Sequence, residues 1–153
     1  MSDLHQSEQE HLRSRAAAMP AIECGPWRTA PPLDEATVAI VSTAGLHRRD
    51  DPPFRPGAID YRILPGDLDF ADIVLSHVST NFDRSAIGQD PNVAFPLDRL
   101  RDMAAAGEIG AVAPWHYSFM GAQPDPGRME ATGAEVGELL AADGVDVALL
   151  VPV

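Results

Sequence analysis

The chain has 153 residues, 45% of them hydrophobic, with 11 Lys and Arg against 23 Asp and Glu and a formal net charge of −12. This length suits a single domain that buries enough apolar surface to fold without disulfides or metals, and the negative charge disfavours nucleic acid and anionic membranes as partners. No apolar stretch approaches the ~20 residues of a membrane helix and the amino terminus is too polar for a signal peptide, so the expected location is the cytoplasm.

Residues 1–36 predict a peripheral helix followed by an extended arm. Ser2–Met19 is polar and compatible with a helix that has few apolar anchors. Prolines interrupt the arm that follows, and we expect Trp27 to fix it to the surface. Cys24, the single cysteine, excludes an internal disulfide and a multi-thiolate zinc site. No helix start is near enough to acidify its thiol, so an unreactive thiol is favoured and its role stays open.

Residues 37–153 predict an α/β domain, because apolar β-branched runs alternate with amphipathic helical patterns. The predicted elements are strands at Thr37–Ser42, Tyr61–Leu64, Asp72–Val78 and Val145–Val151, and helices at Pro96–Ala106 and Asp125–Asp143. This order indicates a three-layer sandwich with a mostly parallel sheet. In such sheets the chemistry gathers outside the carboxyl ends of the strands.

The chain finishes with VDVALLVPV, at the carboxyl end of a strand that we expect to be central and buried. No helix follows to cover it. One interpretation is a domain that is incomplete at its carboxyl end; the other is a complete protein with a tolerated edge strand. Burial of the sheet favours the first.

Three stretches rich in polar and aromatic residues follow strand candidates and are expected to be loops: 42–49, 76–84 and 116–121. Each contributes one histidine, and imidazole is the side chain that titrates near neutral pH, so the three form a possible acid/base or metal set. Alternatively, they only hydrogen-bond the turns, and a metal triad lacks the spacing of an HExxH motif.

Arginine is the natural partner for a substrate carboxylate, and three arginines, Arg48, Arg49 and Arg84, lie in these stretches. Alternatively, Arg84 forms an internal salt bridge with the neighbouring Asp83. No nucleotide-binding or serine hydrolase loop motif is present. The candidate catalytic residues are His77, His116 and Asp83; the candidate substrate-binding residues are Arg48, Arg84, His47, Ser79 and Asn81; no metal ligand is predicted.

Several ungapped blocks carry a family likeness that covers essentially all of the chain from Thr37 onward. The blocks are VSTAGLHRRDDPPF (41–54), DYRILPGD (60–67), LSHVSTNFDRS (75–85), QDPNVAFPLDRLRDMAAAGEIGAVAPWHYSFMG (89–121) and DGVDVALLVPV (143–153). Together they resemble the selenoprotein B family of glycine, sarcosine and betaine reductases and D-proline reductase.

The resemblance implies a subunit of a selenocysteine- or cysteine-dependent oxidoreductase that reductively cleaves a C–N bond of a small amino-acid-like substrate, with a disulfide as acceptor. It implies two partners, a pyruvoyl-containing reductase subunit and a thiol or selenol redox protein. The pyruvoyl group lies on that partner, and no cofactor is implied within this chain. In the family the strand equivalent to VALLVPV leads into the redox residue, so we expect this chain to stop just before it and to be inactive as given. A UGA codon read as a stop would produce such an end.

Two other functions remain open. One is a non-catalytic carboxylate-binding or assembly subunit that uses the same loops. The other is a metal-dependent hydrolase built on His47, His77 and His116. The substrate and the oligomeric state, including a homo-oligomer, are not specified by the sequence.

Overall fold

The computed structural model describes residues 5–19, 25, 28–79, 84–123 and 125–153. The α-helices of this described part are α1 (Gln6–Ala18), α2 (Ser85–Gln89), α3 (Leu97–Ala105) and α4 (Glu130–Ala142). The strands are β1 (Thr37–Ser42), β2 (Leu46–Arg48), β3 (Tyr61–Pro65), β4 (Ile73–Leu75), β5 (Ala111–Val112), β6 (Trp115–Phe119) and β7 (Val147–Val151). Short 3-10 turns occur at Leu33–Glu35, Phe70–Asp72, Pro91–Val93 and Pro126–Met129.

Strand β1 is the centre of the main sheet. It pairs in parallel with β7 along one edge, and along the other edge first with β5 and then with β6. Strand β3 adds to β6 in antiparallel orientation, and β2 and β4 form a separate antiparallel pair. The prediction of an α/β fold with a mostly parallel sheet is confirmed; the three-layer arrangement stays a prediction.

Apolar side chains on the two faces of β1 enter different clusters, as the period of two in a strand requires. Val38 and Ile40 belong to a cluster that includes Leu97 and Leu100 of α3. Val41 packs against the second cluster, which contains Val136 of α4. The helical stripe predicted for the second long helix therefore does face the sheet: Met129, Leu139 and Leu140 all pack against this cluster.

Strand β7 differs from its prediction. It was expected to be central and buried, but among the described residues it pairs only with β1 and lies at an edge. Leu149 is 38% exposed and Leu150 is 68% exposed. The apolar run specifies a strand, but the pattern alone does not report its neighbours in the sheet; the α4 side chains that pack on the sheet contact the cluster that contains Tyr117 and Phe119 of β6.

The stretch 116–121 also differs from its prediction as a loop, because most of it belongs to β6. This strand lies between β1 and β3, and its residues from His116 to Phe119 are buried. A strand with neighbours on both sides does not need the alternation of apolar and polar residues by which a half-exposed strand is recognised in a sequence. The mixed polar and aromatic sequence of β6 therefore resembles a loop. Strand β2, which holds His47, likewise replaces part of the loop expected at 42–49.

Helix α1 has no buried residue. The predictions for Cys24 and Trp27 lie outside the described residues. Within the described part, no helix combines the length and the apolar character needed to cross a membrane.

Candidate functional site at the carboxyl edge of the sheet

The carboxyl ends of β1, β6 and β7 are tied together by one turn, residues 43–45. The Thr43 N–H donates to the Val151 carbonyl at 3.1 Å, and the Gly45 N–H donates to the Phe119 carbonyl at 2.8 Å. The Gly121 N–H donates to the Thr43 carbonyl at 2.9 Å. Three strands therefore end around residues 43–45, which is where a site is expected in an open α/β sheet.

Two buried serines hold the chain where it leaves the sheet. The Ser42 hydroxyl donates to the Ala94 carbonyl at 2.8 Å and accepts from the Ala44 N–H at 3.2 Å. The Ser118 hydroxyl accepts from the Leu46 N–H at 2.8 Å. Because the two hydroxyls satisfy backbone groups that would otherwise be buried without partners, they stabilise this irregular turn inside the protein.

Gly45 lets the loop that carries His77 approach the turn. Its φ is +68°, and a Cβ placed there would lie 2.9 Å from the Met120 methyl group and 3.2 Å from the Cα of His77. The Ser76 N–H also donates to the Gly45 carbonyl at 3.0 Å. A side chain at position 45 would therefore push the His77 loop away from the strand ends.

His77 is 4% exposed, and its Nδ1 accepts from the Ser79 N–H at 3.2 Å. Burial first, and then the charge of Arg84, lower the pKa of His77 below its usual value of 6.5. The imidazole is consequently neutral at pH 7, and because Nδ1 accepts from Ser79, the ring proton lies on Nε2.

Arg84 is folded back onto the loop that it follows. Its Nη2 donates to the His77 carbonyl and, at 3.4 Å, to the Ser79 carbonyl. The structure thus brings together three predicted site residues, His77, Ser79 and Arg84. Two others from the same stretch, Asn81 and Asp83, lie outside the described residues, so the alternative pair between Asp83 and Arg84 stays a prediction.

His47 joins the β2–β4 pair to this loop. Its Nδ1 lies 2.7 Å from the Arg48 carbonyl, and its Nε2 lies 2.7 Å from the Ser76 hydroxyl. A carbonyl can only accept, so Nδ1 carries the proton and Nε2 accepts from Ser76. The Arg48 side chain is exposed, while its backbone N–H donates to Asp51 at 3.0 Å.

His116 is separate from the other two histidines because it lies within β6. It is fully buried, and its Nδ1 accepts from the Ile40 N–H at 2.9 Å, at the point where β1 changes partner from β5 to β6. Its ring packs edge-on against Phe95 with centroids 5.6 Å apart. Burial first, and then the charge of Arg101, lower its pKa to about 4. Its catalytic role stays a prediction; its geometry is that of a neutral ring in the sheet.

The three histidines do not form a metal centre in the described part of the chain, where no group of three or more His, Cys, Asp or Glu could hold an ion.

Sequence reasoning missed Arg62, at the start of β3. Its side chain is 13% exposed, its Nε donates to the Pro52 carbonyl at 2.9 Å, and its guanidinium lies over the Phe54 ring at 4.4 Å. Phe54 in turn packs edge-on against His47. The signal in the sequence was DPPFRPG, a segment rich in turn residues. Its prolines have backbone carbonyls but no backbone N–H, so the segment needs hydrogen-bond donors from elsewhere, such as an arginine.

Comparisons with known proteins bear on the family of this chain. The family model of glycine/sarcosine/betaine reductase selenoprotein B matches residues 17–152. The D-proline reductase subunit gamma of Acetoanaerobium sticklandii is 38% identical over 120 residues, which are 77% of this chain and 49% of that protein. The betaine reductase complex component B subunit beta of Peptoclostridium acidaminophilum is 31% identical over 118 residues, 74% of this chain and 27% of that protein.

The sarcosine reductase complex component B subunit beta of the same organism is 27% identical over 122 residues, 77% of this chain and 28% of that protein. The matched region therefore spans between about a quarter and a half of the length of these relatives. No solved structure matches. Because the family model covers most of the chain, this protein belongs to the glycine/sarcosine/betaine reductase selenoprotein B family.

Proposed function

We propose that this chain is part of a subunit of a reductase complex that cleaves the C–N bond of a small amino-acid-like substrate. Membership of the family supports this, since its relatives are named as subunits of D-proline, sarcosine and betaine reductases. In the overall reaction two thiols become a disulfide, the C–N bond is replaced by C–H, and the amine leaves in its protonated form. The disulfide couple supplies the two electrons and the protons, so the reaction balances.

One observation carries the proposal: the end of β7 arrives at the same turn as the His77 loop. The Val153 N–H donates to the Thr43 hydroxyl at 2.8 Å, and that hydroxyl faces the Val153 carbonyl at 3.4 Å. A residue directly after Val153 would lie beside Thr43, while Gly45 at the other end of the turn contacts His77. A selenocysteine or cysteine at that position would therefore share this edge with a neutral imidazole.

His77 would then accept or return a proton at Nδ1, which requires the hydrogen bond from the Ser79 N–H to open; its depressed pKa keeps the ring neutral at pH 7. Arg84 would act by positioning the loop, since its guanidinium already binds two carbonyls of that loop. Arg48 remains a candidate for the substrate carboxylate. The pyruvoyl group belongs to a partner subunit in this proposal and supplies an electrophilic carbonyl there.

Sequencing the DNA from codon 154 onward tests the redox residue. We expect an in-frame UGA or a cysteine codon followed by coding sequence, and the intact mass of the natively expressed protein should include that residue. A UAA or UAG codon would contradict this part of the proposal and favour a non-catalytic carboxylate-binding or assembly subunit.

Reductase activity is tested on the complex purified through this chain from its native host. We expect amine release from a glycine-type substrate to match disulfide formation from added dithiol, one for one. Dithiol oxidation that is independent of substrate, or amine release without dithiol, would contradict the proposed reaction.

A further inference from the structure

A cavity of about 380 Å³ lies beside the start of β3. Tyr61, the first residue of β3, pairs with Phe119, the last residue of β6, so residues of the cavity lining next to Tyr61 lie near the carboxyl end of β6. Its lining includes Arg55, Asp60 and Arg62, with prolines of the segment 52–58. The volume lies at the lower end of the range of roughly 300–1,000 Å³ that is typical of small-molecule sites.

Hydrogen bonds to backbone carbonyls fix the walls of this cavity before any ligand binds. Arg62 donates to the Pro52 carbonyl at 2.9 Å from Nε and to the Tyr61 carbonyl at 2.9 Å from Nη1. The Gln123 amide donates to the Ala58 carbonyl, and the Thr132 hydroxyl donates to the Ile59 carbonyl at 2.8 Å. The proline rings further restrict the loop, so little ordering would be needed on binding.

Donor groups remain available in the cavity. Arg62 uses Nε and Nη1 in the bonds above and in its ion pair with Asp60, but its Nη2 makes no hydrogen bond among the described residues. Arg55 forms no ion pair within the described part of the chain, although acidic residues outnumber basic ones by 23 to 11. Within the described part of the chain, Nη2 of Arg62 and the Arg55 guanidinium can therefore still donate to a carboxylate.

The cavity also offers an anionic group. Asp60 binds Arg62 through Oδ2 at 2.8 Å, and its side chain is 59% exposed. Its other oxygen makes no hydrogen bond among the described residues. One lining surface thus presents two cationic groups and one anionic group, which together match a small molecule that carries both charges.

We propose that this cavity binds a small zwitterion, with its carboxylate on Arg55 and Nη2 of Arg62 and its cationic amine at Asp60. The inference rests on the proposed function for the amino-acid-like class of the ligand. It places substrate recognition on residues 52–62 rather than on Arg48 or Arg84.

The test is an NMR titration of the 153-residue chain with glycine, glycine betaine and D-proline. We expect chemical-shift changes centred on residues 52–62. Acetate, which lacks the cation, and choline, which lacks the carboxylate, should each bind at least about ten-fold more weakly.

The variants R55Q and D60N test the residues. R55Q should weaken zwitterion binding at least about ten-fold, and D60N should weaken the binding of zwitterions more than that of acetate. The matched control R99Q, in an exposed ion pair on α3, should change nothing.

Equal affinity in R55Q and the unmodified chain, shifts centred elsewhere, or no shift at tens of millimolar ligand would overturn the cavity assignment. The two proposals fail separately. If R55Q abolishes binding but the complex has no reductase activity, the cavity assignment is supported and the proposed function is contradicted. If the complex is active but R55Q leaves its KM unchanged, the proposed function is supported and the cavity assignment is contradicted.

Discussion

His77 and His116 show how two regions of one sheet use the same side chain differently. His116 lies within β6, where its Nδ1 replaces a backbone carbonyl as the acceptor for the Ile40 N–H. His77 lies in the loop beyond the strand ends, where its Nδ1 accepts from Ser79 two residues later in the loop. Both rings are buried and have lowered pKa values, so burial alone does not separate them. The hydrogen-bond partner separates them. The His116 ring completes the hydrogen bonding between strands, and the His77 ring orders a loop.

The largest expected effect is that of His116→Ala, which we expect to lower the free energy of unfolding by about 4 kcal/mol. It removes a buried ring that contacts Phe95 and leaves the Ile40 N–H without an acceptor. Urea denaturation followed by circular dichroism measures this.

His116→Asn is the informative companion, because its Oδ1 can accept the same hydrogen bond, and it should recover about half of the loss. His11→Ala, on the exposed helix α1, is the control and should stay within about 0.5 kcal/mol. If His116→Ala matched His11→Ala, the ring would have no structural role in the sheet.

Gly45→Ala tests the contact between the strand ends and the His77 loop. We expect a loss of about 3 kcal/mol, because alanine is strained at a φ of +68° and its Cβ would lie 2.9 Å from the Met120 methyl group. Gly88→Ala is the matched control, since a Cβ there meets nothing within 4 Å. Thermal unfolding of both variants gives the comparison, and equal Tm values would show that the loop does not need this close approach.

The pH dependence of the free energy of unfolding tests the lowered pKa of His116. Folding lowers the pKa of His116 to about 4, below its unfolded value of 6.5, so the folded state resists protonation. Its contribution is therefore complete above about pH 6.5, falls as the pH decreases toward 4, and changes little below that. Over this window we expect the unmodified chain to lose about 3 kcal/mol more than His116→Asn, measured by urea unfolding at each pH. Parallel curves would show that His116 titrates normally in the folded state.

The same contrast shows what could be predicted from the sequence. The run TVAIVS gave β1 with its bounds, because consecutive β-branched residues favour a buried strand. Helix α3 also lies within its predicted range, since its apolar spacing and its proline and glycine punctuation are local signals. The likeness in residues 41–153 gave the family.

Position within the sheet could not be predicted in the same way. Strand β7 has the composition of a central strand but, among the described residues, pairs only with β1, and β6 has the composition of a loop but lies between two strands. Both depend on pairing between distant residues, which a single sequence does not encode locally. The candidate site shows the same limit: Arg84 follows His77 by seven positions and contacts its carbonyl, whereas Arg62 contacts the carbonyl of Pro52, ten positions before it.

The smallest expected effect on stability is that of His77→Gln, and it completes the comparison with His116. Glutamine can still accept from the loop backbone, so we expect less than about 1 kcal/mol of destabilisation. If His77 handles a proton as proposed, the reductase complex carrying His77→Gln should lose at least about ten-fold in kcat. The acidic limb of its pH profile, expected below 6.5 because the pKa of His77 is lowered, should disappear as well. His11→Gln should change neither quantity. Two outcomes would contradict this: a His77→Gln variant that unfolds as readily as His116→Ala, or one that keeps its kcat and its acidic limb. Either would mean that His77 is also a structural residue. The two histidines would then differ only in the backbone N–H from which each ring accepts a hydrogen bond.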